Sequence, residues 1–164
     1  MNRVGAGADG MLLIGIGNSG RGDDGLGWAF LDRLQDTGEF AGPCEYHYQL
    51  QVEDAERVSR AQHVVFVDAS RETLPGGFAW RACRAERRFE FSTHALAPGA
   101  VLQLCESLYG RAPRADVLAI EGREWELGAD LSAAAQRHLR DALQFFRERV
   151  LAASAGQSTT VCQE

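Results

Sequence analysis

The sequence predicts an α/β domain of three layers, with helices on both faces of a mostly parallel sheet of about five strands. Near-continuous apolar runs are typical of strands that are buried on both faces. Segments with apolar residues at helical spacing separate these runs. The 164 residues contain no internal repeat and no linker, so we expect one domain over 1–164. Its ordered core should span about 11–151, and the small, polar tail 152–164 should be disordered.

The strands follow from two kinds of apolar pattern. Runs without alternation predict buried strands at MLLIGI (11–16), HVVFVDA (63–69) and DVLAIEG (116–122). Segments that alternate more favour positions nearer a sheet edge, at CEYHYQL (44–50) and GFAWRAC (77–83). These patterns predict a sheet with three inner strands and two outer ones.

Four helices are predicted between and after these strands. The first begins just after Gly25, and the second is a short helix with a polar face over 53–62. The third begins near Pro98, because a first helical turn tolerates proline. The last has the clearest apolar stripe, over 131–150, with Ser132 near its start as a cap.

Composition excludes several classes of function. The net charge of −6 argues against a nucleic-acid or anionic-membrane partner, which would need a basic face. The chain has no lysine, which excludes a Walker P-loop, a Schiff-base lysine and a serine–lysine dyad. No apolar stretch approaches the roughly 18 residues that span a bilayer, and no CxxC pair occurs. We expect a cytoplasmic protein with reduced cysteines.

The glycine-rich stretch LLIGIGNSGRGDDGLG (12–27) admits two interpretations. Residues 15–20 match the GxGxxG pattern of dinucleotide sites, but the match is weak without its context. Asp23 and Asp24 would repel a phosphate, at a cost of about 1–4 kcal/mol at 4 Å. The helix also begins too late, after Gly25, for its amides to meet a pyrophosphate. The stretch therefore favours a cation, and a dinucleotide-binding module is the weaker alternative.

Three residues from separate segments could ligate that cation. Asp24 lies in the glycine-rich stretch, and Asp68 ends an apolar strand, where a buried carboxylate is costly unless it is paired or coordinates an ion. A cap or turn role before Ser70 is the alternative for Asp68. His94 lies in a loop of small residues. Two oxygens and one nitrogen suit a borderline divalent metal with open positions. Neither HExxH nor GxSxG occurs in the chain.

Four motifs in order give a family resemblance. They are GIGNSGRGDDGLG, VVFVDA, STHALAPGAVLQLCESLYG and IEGREWELGADLS. Over about 11–150, the sequence resembles the hydrogenase maturation proteases, endopeptidases that trim the C-terminus of the nickel–iron hydrogenase large subunit. Many members carry a Gly-Gly-Thr or Gly-Gly-Ser turn near residue 49, where this chain reads YQLQVEDAE. That variant is similar to members that serve NAD-coupled, bidirectional cytoplasmic hydrogenases.

The resemblance implies an αβα fold, a monomer, and a nickel-recognising role for Asp24, Asp68 and His94. The position of Asp24 is acidic in the family, often glutamate. The resemblance also implies that nickel arrives in the large-subunit precursor rather than as a resident cofactor. Asp24 could alternatively act as a general base. Asn18 and Asp23 either orient their turn or contact the substrate peptide. A non-catalytic checkpoint protein that binds the nickel-loaded precursor is the alternative function.

Overall fold

The computed structural model describes residues 10–87 and 96–157. Within these ranges, the chain forms one five-stranded sheet in the order β2-β1-β3-β5-β4. The strands are β1 (Met11–Ile16), β2 (Cys44–His47), β3 (His63–Ser70), β4 (Phe78–Cys83) and β5 (Arg114–Glu121). All neighbouring strands are parallel except β4, which runs antiparallel to β5. The predicted fold class is confirmed, and the two strands with alternating patterns are the edge strands.

The helices lie where the apolar spacing predicted them. They are α1 (Leu26–Asp36), α2 (Asp54–Ser59), α3 (Pro98–Tyr109) and α4 (Ala133–Phe145). The Ser132 hydroxyl caps α4 by accepting a hydrogen bond from the amide of Ala135 at 3.1 Å. No helix within 10–87 and 96–157 is long and apolar enough to cross a membrane.

The described chain continues past residue 151, where the sequence predicts the end of the ordered core. After α4 comes a π-helical turn at Phe146–Leu151 and then α5 (Ala152–Gln157). The first part of the tail for which disorder is predicted is thus described as a helix, and the disorder of 152–164 stays a prediction. Alanine has a high helix propensity, and the Ser154 hydroxyl bonds back to the carbonyl of Val150 at 3.0 Å. The rest of the tail, 158–164, lies outside the described residues.

Both faces of the sheet are buried, which explains why the inner strands do not alternate. Leu13 of β1 and Val65 of β3 pack in one core cluster with residues of α1 and α4. Their neighbours Leu12 and Val64 pack in a second cluster with residues of α2 and α3. Successive strand residues point to opposite faces, so the helices on both sides require apolar side chains at every position.

The ends of β1 and β3 set the position of the candidate site. Ile16, the last residue of β1, is the register partner of Asp68, and β3 continues to Ser70. Asp68 also pairs with Ala119 of β5, so it lies inside a strand. The alternative of a cap or turn role for Asp68 is therefore wrong. By alternation, Asp68 lies on the same face as Phe66, which packs with α2 and α3.

Candidate functional site

The glycine-rich stretch forms a compact loop over residues 17–25, here called the acidic turn. Gly17 has a φ of 140°, and a Cβ there would lie 2.0 Å from the carbonyl oxygen of Asp24. Only glycine therefore permits this close approach. The amide of Asn18 donates to the same carbonyl at 3.1 Å. These contacts hold Asp24 beside the end of β1.

Asp23 fixes the acidic turn to the segment 122–132, here called the strap. Its buried carboxylate accepts hydrogen bonds from the amides of Arg123 and Ser132, both at 2.7 Å, and of Glu124 at 2.9 Å. It also accepts one from the Ser132 hydroxyl at 2.7 Å. Burial works to raise the pKa of Asp23, but these hydrogen bonds outweigh it and the pKa lies below its ordinary value. Of the two roles left open for Asp23, the geometry supports orientation of the turn.

Asn18 also supports the acidic turn from within. Its side-chain oxygen accepts a hydrogen bond from the amide of Gly20 at 2.8 Å, and its backbone carbonyl accepts from Arg21 at 3.1 Å. The residue is partly exposed, unlike Asp23. Asn18 is therefore a turn residue whose side chain remains accessible to a bound peptide.

The amides of the acidic turn are not free to bind phosphate. Seven of the eight amides of residues 17–24 donate hydrogen bonds to oxygens of the protein, at 2.7–3.1 Å. A dinucleotide site would need such amides to point at the pyrophosphate. The structure therefore argues against the dinucleotide alternative, for a reason that the GxGxxG pattern could not reveal.

Asp24 and Asp68 share one cavity of about 430 Å³, here called the acidic cavity. Burial and the nearby charge of Asp24 raise the pKa of Asp68 to about 7. Burial also raises the pKa of Asp24, against the lowering effects of the Asn18 amide and of the Arg21 and Arg71 charges. Two half-buried carboxylates whose pKa values are both raised form a site that a cation would stabilise.

Only part of the predicted ligand set can be placed. His94 lies outside the described residues, which resume at Leu96. Leu96 and Ala97 line the acidic cavity, and the amide of Leu96 donates to the carbonyl of Leu50 at 3.1 Å. Within 10–87 and 96–157, no group of three or more His, Cys, Asp or Glu side chains could hold a metal ion. Asp24 and Asp68 thus bring two carboxylates to the cavity, and a metal ion there would need further ligands.

An aromatic rim beside the acidic cavity was missed by sequence reasoning. Tyr48 lines the cavity and is 69% exposed. Its ring lies 5.2 Å from the ring of Trp28, and the Trp28 indole donates to the carbonyl of His47 at 3.1 Å. The alternation in CEYHYQL predicted a strand there. It carried no signal that the chain after the strand returns to the cavity.

A cationic side chain is held on the strap side. The guanidinium carbon of Arg71 lies 4.2 Å from the centre of the Trp125 ring, a cation–π contact. Trp125 belongs to the strap, which Asp23 ties to the acidic turn. Sequence reasoning missed this pair because its members are more than 50 residues apart.

Comparison with known proteins relates the chain to one group of solved structures. No protein-family model and no curated protein sequence matches it. The NiFe hydrogenase maturation protease HycI from Thermococcus kodakarensis KOD1 is 20% identical, with a TM-score of 0.64, over 84% of this chain and 90% of that one. The hydrogenase maturating endopeptidase HybD from E. coli is 19% identical, with a TM-score of 0.65, over 90% and 93%. The chain therefore has the fold of these solved proteins.

Proposed function

We propose that this protein is a hydrogenase maturation protease, an endopeptidase that removes the C-terminal extension of a nickel–iron hydrogenase large-subunit precursor. One observation carries the proposal: Asp24 and Asp68, from different segments, share a cavity at the carboxyl edge of the sheet. The similarity in fold to solved maturation proteases supports it. Ligand sites of open α/β sheets lie at this edge.

Nickel enters the proposal as part of the substrate. Asp24, Asp68 and His94 complete the coordination of a nickel ion that the precursor already carries. Burial raises the pKa values of both described carboxylates, and the charge of Asp24 raises that of Asp68 further; a divalent cation between them would favour the ionised forms. Oxygen and nitrogen donors suit a borderline ion such as nickel. Only a loaded precursor would then bind in the productive geometry.

The chemistry is hydrolysis of one peptide bond. Contact with the client's nickel holds the scissile carbonyl beside the acidic cavity, and the ion polarises the carbonyl or a bound water. Water adds to the carbonyl carbon, and its proton passes to the departing amine. Asp24 either ligates the ion or carries that proton as a general base. Its partial exposure at the cavity suits both roles.

The client is a large-subunit precursor, and we propose the NAD-coupled, bidirectional type. The segment YQLQVEDAE, which carries that resemblance, borders the site, since Tyr48, Gln49 and Leu50 line the acidic cavity. A change in this segment would therefore alter contacts with the client directly. We further propose that the protein acts as a monomer in the cytoplasm, where the precursor is made.

The test compares nickel-loaded and nickel-free precursor. Each is incubated with the purified protein, and mass spectrometry reports whether the C-terminal extension is lost. Loss from the loaded precursor alone supports the proposal. A loaded precursor that co-elutes with the protein but keeps its extension would instead support the non-catalytic checkpoint. Asp68→Asn serves as the control that should leave the extension in place.

A further inference from the structure

Asp68 lines a second cavity as well as the acidic one. This second cavity, of about 310 Å³, lies toward β4 and β5. It shares Asp68, Ala97 and Pro98 with the acidic cavity. The two cavities therefore adjoin at Asp68, and a chain bound across that carboxylate would occupy both.

The walls of the second cavity are mainly apolar. Phe66 is fully buried, and Val117 of β5 is half-buried. Burial, with the charges of Glu86 and Asp116, raises the pKa of the Cys83 thiol to about 11, so it is neutral at pH 7. Arg84 and Glu86 also line the cavity, with charges that offset one another. These walls suit a neutral, apolar group.

The shape of the second cavity follows from how α3 meets the end of β4. The amide of Glu86 donates to the carbonyl of Gly99 at 2.9 Å. A Cβ on Gly99 would lie 2.9 Å from the carbonyl oxygen of Arg84, so glycine permits this approach. The contact joins the chain after β4 to the first turn of α3, and the cavity is bounded between them.

We propose that the second cavity is a specificity pocket that receives an apolar side chain of the client beside the bond that is cut. The inference rests on the proposed function. An extended peptide advances about 3.3 Å per residue, so a scissile bond at the acidic cavity places an adjacent side chain across Asp68. Its volume of about 310 Å³ exceeds the roughly 150 Å³ of an apolar cavity that binds benzene. The cavity therefore has room for one large apolar side chain, such as Leu or Phe.

The test changes the pocket and the client together. Val117→Phe narrows the pocket and Val117→Ala widens it. Nickel-loaded clients carry Ala, Val, Leu or Phe at each residue that flanks the cleaved bond, and kcat/KM is measured for each. At one flanking position, the natural protein should favour Leu or Phe over Ala by about tenfold. Val117→Phe should give a higher kcat/KM for the Ala client than for the Leu and Phe clients. Val117→Ala should raise the kcat/KM for the Phe client relative to the others. Leu108→Phe is the control, since Leu108 is exposed and lines neither cavity.

The outcomes separate the pocket from the proposed function. If the natural protein cleaves no loaded client, the proposed function fails. If it cleaves but Val117→Phe and Val117→Ala keep its order of preference, or lose activity equally on every client, the pocket assignment is overturned. Circular dichroism checks the fold of each variant. Should Val117→Phe fail to fold, Val117→Ala alone decides the outcome, because it only removes two methyl groups.

Discussion

Ile16 and Asp68 are opposite partners in the β1–β3 pair, and the two strands separate just beyond them. After Ile16 the chain turns at Gly17 into the acidic turn, whereas β3 continues to Ser70. Asp68 therefore has a strand neighbour on β5 but faces the acidic turn, with Asp24, on the other side. The early end of one strand creates the cavity in which two carboxylates meet.

Removing either carboxylate should stop processing. Asp68→Asn and Asp24→Asn should each lower kcat/KM for the nickel-loaded precursor by about a hundredfold or more, because each loses a ligand or a base. Asp24→Glu is the matched control and should retain activity, since it keeps the charge. Mass spectrometry of the client measures the effect. A folded Asp68→Asn variant that processes normally would contradict the site.

His94→Ala should abolish processing and leave the fold intact. The imidazole is the nitrogen ligand of the proposed set, and alanine cannot replace it. Processing is followed by mass spectrometry, and circular dichroism and thermal unfolding verify the fold. A well-folded variant that still cuts the loaded precursor would remove His94 from the site.

Processing should weaken as the pH falls. A histidine with an ordinary pKa protonates below about pH 6.5 and can no longer ligate. Asp68, with its pKa raised to about 7 by burial and by Asp24, must also lose its proton before it can bind the ion. Both effects act in the same direction, so the rate should drop between about pH 8 and pH 6. A rate profile that stays flat down to about pH 5 would rule out histidine ligation.

Asp68→Asn should stabilise the protein alone at alkaline pH. The pKa of Asp68 is higher in the folded state than its ordinary 3.8, so the folded state holds the proton more tightly. Ionisation of Asp68 therefore lowers the free energy of unfolding as the pH rises from about 4 through about 7. In urea unfolding at pH 8, the free energy of unfolding of Asp68→Asn should exceed that of the natural protein by on the order of 1–3 kcal/mol, after allowance for the partial exposure of Asp68. The gain should shrink toward zero near pH 4, and a gain independent of pH would refute this explanation.

Asp23→Ala should destabilise the fold more than any change at the exposed carboxylates of the strap. It leaves two part-buried amides, the buried amide of Ser132 and its hydroxyl without their acceptor, at a cost of about 3–5 kcal/mol. Urea unfolding measures the difference, with Asp130→Asn, an exposed strap residue, as the control. The lowered pKa of Asp23 means that its ionised form contributes stability above the unfolded pKa. The contribution of ionised Asp23 to stability should disappear as the pH falls through the pKa that Asp23 has in the folded state.

Sequence patterns predicted much of this architecture because the strands and helices are locally consistent. The unbroken apolar runs identified β1 and β3, and the position of Asp24 in the turn after β1 and of Asp68 in β3 predicted that the two carboxylates are neighbours. The contacts of Asp23 with the strap could not be predicted from local patterns, since they join residues 100 or more positions apart. The second cavity depends on the gap between α3 and β4, which no local pattern encodes.

The hydrogen bonds between Asp23 and Ser132 also constrain the order of folding. Their separation of 109 residues means that the acidic turn acquires its final anchor only when the start of α4 has been synthesised and docked. A nascent chain that stops before residue 132 lacks that anchor, even with β1 and β3 complete. The geometry of the candidate site therefore depends on a segment that lies more than 100 residues after the acidic turn.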